Sequence, residues 1–83
     1  MDVQKEVLSI LDQALGLNGR SATLDEKSPL LGALPELDSL AVVRVITTIE
    51  ERFGFAIADD EIDASSFATL GALSDFVKAR VAA

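Results

Sequence analysis

The chain has 83 residues, enough for one domain, with 14 acidic side chains against 7 basic ones and a net charge of −7. It contains no Cys, His, Trp or Tyr, which removes disulfides, a thiol nucleophile, an imidazole base and Cys/His zinc sites, and so argues against a self-sufficient enzyme. The acidic balance and the scattered positions of Lys5, Arg20, Lys27, Arg44, Arg52, Lys78 and Arg80 argue against a nucleic-acid partner and favour proteins that present basic patches.

From Asp2 to Leu15, Val3, Val7, Ile10, Leu11 and Ala14 recur at three- and four-residue steps, and Leu8 and Leu15 widen the stripe. This predicts an amphipathic first helix, stopped by Gly16 in a left-handed cap and again by Asn18-Gly19. Leu17 to Leu37 contains Gly19, Pro29, Gly32 and Pro35 without a sustained period. It reads as an ordered connector with a short helical turn, pinned to the core by Leu24, Leu30, Leu31, Leu34 and Leu37.

The helical period returns at Ser39 and runs to Phe53, with Val42, Val45, Ile46, Ile49 and Phe53 facing inward and Gly54 as the stop. Leu40, Ala41 and Val43 form a second apolar edge open to a partner. Asp59, Asp60, Glu61 and Asp63 around Ile62 predict a short third helix with acids near its N-terminal end. Thr69 then caps a final helix whose inward residues are Leu70, Leu73, Phe76, Val77 and Val81, with Lys78 and Arg80 at its C-terminal end. The fold class expected is all-α: a single four-helix bundle over residues 1–83, with a long loop between helices 1 and 2 and a short helix 3.

Asp38-Ser39-Leu40 stands where the connector meets the second helix. On spacing alone it is an N-cap, since Asp and Ser side-chain oxygens accept hydrogen bonds from the first amides of a helix. The order of parts around it resembles the acyl carrier protein family over nearly the whole chain: an amphipathic helix, a long loop, Asp38-Ser39-Leu40, a helix ending Ile49-Glu50-Glu51-Arg52-Phe53-Gly54, then Ile57-Ala58-Asp59-Asp60-Glu61, and Thr69-Leu70 opening the last helix. Pro29-Leu30-Leu31-Gly32, Pro35-Glu36-Leu37-Asp38-Ser39 and Glu50-Glu51-Arg52-Phe53-Gly54-Phe55 are also similar to carriers associated with bacterial exosortase and exopolysaccharide systems.

The resemblance implies that Ser39 receives covalent 4′-phosphopantetheine from a phosphopantetheinyl transferase that uses coenzyme A and a divalent metal, with Asp38 helping to present the serine. It implies a carrier, not an enzyme, that holds acyl or aminoacyl groups as thioesters and offers them to loading and transferring enzymes. The absence of cysteine fits, since the thiol would come with the prosthetic group. Leu40, Val43, Arg44, Asp59, Asp60 and Glu61 are the expected partner-binding residues, and Ile46, Ile49, Ile57, Ile62 and Phe67 the expected lining of an acyl pocket.

Three positions depart from many fatty-acid carriers, holding Glu36 where Gly is common and Ala41 and Arg44 where acids are common. With Arg52, Arg44 makes the partner face of the second helix less acidic, which favours a specialised pathway over central fatty-acid synthesis. The acids after Gly54 lack the spacing and central glycine of a calcium loop and read as a solvated face. The longest apolar runs, Leu40–Val43 and Phe55–Ala58, are four residues, too short to insert in a membrane, and Met1 to Glu6 lacks the basic and apolar regions of a secretory signal. A cytoplasmic monomer is expected.

An unmodified acidic interaction module is the alternative from another class. A serine hydrolase is a third reading, disfavoured because Ser39 has no histidine base and no Gly-x-Ser-x-Gly elbow. Fatty acyl, polyketide, amino acid and D-alanyl cargoes remain open.

Overall fold

Asp2 opens the first helix because its carboxylate accepts the Lys5 amide at 3.2 Å, relieving one of the unpaired donors of the first turn. A computed structural model describes residues 2–58 and 60–82. Among them are three α-helices, α1 (Val3–Leu15), α2 (Ser39–Phe53) and α3 (Leu70–Ala82), and two 3-10 turns, Arg20–Thr23 and Ala64–Phe67. Gly16 and Gly54 end α1 and α2 in the left-handed conformation, at φ 64° and 75°, where a Cβ would be strained.

Helix α1 is the keystone: it packs against both α2 and α3, and no comparable packing joins α2 directly to α3 among the described residues. Its inward face, Val7, Ile10, Leu11, Ala14 and Leu15, meets Ala41, Val45 and Ile49 of α2 and Leu70, Leu73 and Val77 of α3 in one core. Val3 and Leu8 cover its margin, as do Val42, Ile46 and Phe53 of α2. Arg52 secures α2 to α1 from outside, donating to Glu6 at 2.7 Å and to Gln13 at 3.4 Å.

The connector is held by its backbone as well as by its leucines. The Leu30 amide donates to Ala68 O, Leu31 to Phe67 O, Leu70 to Ser28 O and Gly71 to Glu26 O, at 2.8–3.1 Å. This short antiparallel seam, bridged at Pro29 and Thr69, satisfies the polar groups of an otherwise irregular segment. It also explains the glycine inside α3: a Cβ on Gly71 would lie 2.7 Å from the Glu26 carbonyl oxygen. Leu17, Leu30 and Leu37 are buried, and Leu24 and Leu34 pack partly against the core.

At the other end of the connector, the Asp12 carboxylate accepts the Gly19 amide at 3.0 Å and the Ser21 hydroxyl at 2.7 Å. The Ser21 bond, aided by the Gly19 amide, holds the Asp12 carboxyl below its ordinary range.

Four details correct the sequence reading. The short helical element begins at Ala64, not within the acidic run, because Asp63 works as its cap, accepting the Ser65 amide at 3.0 Å while Ser66 reaches back to the Asp63 amide at 3.4 Å. Upstream, Glu61 closes a turn, its amide donating to Ala58 O and its carboxylate accepting the Ala58 amide. Leu31 and Val81 are 42% and 43% exposed: Leu31 stands outside the core that buries its neighbour Leu30, and Val81 lies beyond Val77, the last buried residue of α3 among those described. Ala41 is buried, so it belongs to the core and not to the exposed edge of α2.

Candidate functional site

The connector delivers the chain to α2 through a fixed corner. Leu37 is buried, its amide donates to Leu34 O at 3.0 Å, and the Asp38 amide donates to Glu36 O at 3.2 Å. Glu36 is ion-paired with Arg20, and that hydrogen bond holds its carboxyl below the usual range. Asp38 has extended backbone, and its Oδ1 accepts the Ala41 amide at 2.8 Å. Asp38 is therefore the cap, and Ser39 is the first helical residue.

Ser39 is exposed, and among the described residues no hydrogen bond engages its hydroxyl; the cap bond is made by Asp38 alone. It stands at the positive end of a 15-residue helix, where free amides and the aligned peptide dipoles favour a phosphate. Among the described residues no base is hydrogen-bonded to its hydroxyl: histidine is absent from the chain, the Asp38 carboxylate is engaged as the cap, and Asp63, across the cleft, is held by Ser65. Such a hydroxyl suits a group delivered by another protein better than self-activated nucleophilic attack.

Beside it opens a cleft of about 440 Å³ between α2 and the Ala64–Phe67 turn, lined by Leu31, Leu37, Asp38, Ser39, Val42, Ile46, Ile62, Asp63, Ala64 and Phe67. Of the five residues expected to line a pocket, Ile46, Ile62 and Phe67 do so. Ile49 and Ile57 lie in the core instead, at 0% and 9% exposure, and do not line the cleft. Leu31, Leu37, Val42 and Ala64 line the cleft unforeseen. For Val42 a signal existed, since it lies three residues after Ser39 on the same helix face; Leu31 reaches the cleft only through the path of the connector.

Leu40 and Val43, 77% and 60% exposed, form an apolar ridge on α2 next to Ser39. Arg44 is exposed on the following position, its guanidinium 3.4 Å from Ala14 O at the end of α1. No acid lies in the first turn of α2. Across the cleft, Asp60 is exposed, and Glu61 is ion-paired with Arg80; Asp59 lies outside the described residues. Asp63 is held below its ordinary range, chiefly by the Ser65 hydroxyl. Among the described residues no group of three or more acidic side chains is arranged to hold a metal ion, and no helix is long and apolar enough to cross a membrane.

Comparison with known proteins places this geometry. Residues 5–77 match the family model for a phosphopantetheine attachment site. An acyl carrier protein of Chlamydia caviae is 31% identical over 80 residues, covering 96% of this chain and 97% of that protein. The solution structure of a holo acyl carrier protein from Nitrosomonas europaea superposes with a TM-score of 0.93 at 48% identity, over the full length of both chains.

Proposed function

Because the chain belongs to the acyl carrier protein family, whose members carry a covalent phosphopantetheine and are carriers and not enzymes, we propose that Ser39 is the attachment residue and that the cleft beside it shelters an acyl cargo. The observation that carries this reading is the position of Ser39: a free, exposed hydroxyl at the start of α2 that opens directly onto an apolar cleft. The residues present fit the group. The helix end favours its phosphate, and the lip formed by Leu31, Val42 and Ile62 offers an apolar path away from it. When bound, the group supplies the thiol that this chain lacks, and the cargo is held there as a thioester.

The chain's own residues do three things in this reading. Asp38 fixes the first turn of α2 and so the direction in which the Ser39 hydroxyl is offered to a phosphopantetheinyl transferase. Ile46, Ile62 and Phe67 remove apolar cargo from water, at about 0.8 kcal/mol for each methylene buried, which favours acyl over aminoacyl groups. Leu40, Val43 and Arg44 meet the loading and transferring enzymes, with Asp60 and Glu61 on the opposite rim. A face that is apolar and cationic next to the serine suits partners without a basic docking patch, which supports a specialised pathway, served in the cytoplasm where coenzyme A is at hand.

Intact-protein mass spectrometry after incubation with coenzyme A, magnesium and a broad-specificity transferase tests the assignment. One phosphopantetheine added to the wild type and none to Ser39→Ala is expected. Modification of the Ala variant, or none of a folded wild-type chain with several competent transferases, would overturn it.

A further inference from the structure

The wall of the cleft that carries Ile62 belongs to no α-helix, yet it is anchored from both neighbours. From α2, the Glu50 carboxylate accepts the Ile57 amide at 2.7 Å. From the far end of α3, one side chain makes three contacts with the same segment. Arg80 donates to Ala56 O at 2.9 Å, pairs with Glu61, and lays its guanidinium 5.2 Å from the centre of the Phe55 ring. Phe55 in turn stacks on Phe53 at the end of α2, with ring centroids 6.2 Å apart. Glu61 is the residue before Ile62, and its other carboxylate oxygen closes the turn back to the Ala58 amide at 2.9 Å.

We infer that Arg80 is a positioning residue that holds the Ile62 wall against the cleft and thereby sets how well a long apolar cargo is covered. This rests on the reading of the cleft as the shelter for acyl cargo. Direct packing between α2 and α3 is weak, so the wall, rooted in the core at Ile57 with Ile62 only partly buried against it, depends on these polar and cation–π contacts to fix its outer part. An exposed ion pair alone contributes little, but a planar guanidinium that pairs, donates and stacks at once loses little freedom for each contact made. A two-carbon acyl group has too little apolar surface to depend on the wall. A chain of eight carbons lies along it.

The test compares wild type, Arg80→Gln, Arg80→Lys and Glu61→Gln. In the unloaded proteins, amide hydrogen exchange at Ile57 and Glu61 is expected to rise about five- to tenfold in Arg80→Gln, with α1 amides unchanged. In proteins loaded from acetyl- or octanoyl-coenzyme A, the wild-type octanoyl thioester should resist hydroxylamine better than the acetyl one. Arg80→Gln should lose that protection for octanoyl alone, and Arg80→Lys, which keeps the charge without the stacking fork, should fall between. Glu61→Gln should move both readouts in the same direction by less, and it serves if Arg80→Gln fails to fold. Wild-type exchange and an unaltered octanoyl-to-acetyl ratio in the variants would overturn the role of Arg80. Equal lability of the two thioesters in the wild type would instead overturn the shelter on which it rests.

Discussion

The two sides of α2 are built on different physics. The side that meets α1 is a packed apolar layer in which Val45 and Ile49 are fully buried against Val7, Ile10 and Leu11. The side that faces the Ala64–Phe67 turn is an open cleft whose far wall is rooted in the core at Ile57 and Phe67 but tied along its outer part by single hydrogen bonds and one arginine. The first side holds the fully buried contacts of α2, and the second, with fewer of them, is where local opening is expected to cost least. Ser39 sits at the start of the helix that separates them, so the residue proposed to hold the prosthetic group is fixed by the packed side and opens onto the other.

Substitution on the two sides should separate them most clearly. Leu11→Ala, in the packed layer, should cost about 2–5 kcal/mol, whereas Ile46→Ala, already half open to the cleft, should cost about 1 kcal/mol; urea unfolding monitored by circular dichroism reads both. Equal losses would mean that the cleft is part of the core. Gly71→Ala comes next. Helix propensity alone favours alanine by about 1 kcal/mol, but the Cβ would meet the Glu26 carbonyl at 2.7 Å, and pushing the connector away should destabilise by about 1–3 kcal/mol. A stabilised variant would show that the connector gives way freely.

The corner at α2 should respond less. Asp38→Ala removes the cap and should cost about 0.5–2 kcal/mol, while Ser39→Ala, which touches no hydrogen bond, should stay within about 0.5 kcal/mol. The difference in urea midpoint between them isolates the cap from the proposed attachment residue.

Acid should act on the loops around the packed layer. Asp12, Glu36 and Asp63 all have carboxyls held below their ordinary values by hydrogen bonds or an arginine. A group with a depressed folded pKa adds stability above its unfolded value and loses it as the pH falls through the folded one. Their contribution is thus complete at neutral pH and fades below about pH 4. Asp12→Asn should lower the midpoint at pH 7 and flatten the fall in acid; the same acid slope in the variant would show that Asp12 plays no part in it.

Much of the layered side was legible in the sequence because side-chain spacing encodes it. The period of α1, the Asp38 and Gly54 limits of α2, and the Thr69 cap of α3, whose hydroxyl accepts the Ala72 amide at 3.0 Å, are all local signals. Depth was not legible: Ile46 and Ile49 share one stripe, and only the tertiary arrangement puts the first on the cleft and the second beneath it. The acidic run misled because four carboxylates in five residues suit a helix start at several positions, and Asp63 alone makes the cap. The pairing of Glu26–Leu31 with Phe67–Gly71 uses backbone groups, which leave no trace in residue type. Arg80 reached its partners across 19 and 24 residues, a distance at which no pattern of spacing speaks.

That backbone seam also orders events in the making of the protein. Synthesis proceeds from the N-terminus, so Asp38-Ser39-Leu40 exists as a peptide well before Phe67 to Gly71, which hold the connector leading to it. A nascent or truncated chain ending short of Thr69 carries the serine but lacks the hydrogen-bond partners of Glu26, Ser28, Leu30 and Leu31. The corner that presents Asp38-Ser39-Leu40 therefore gains its full set of backbone partners only once the start of the last helix has been made.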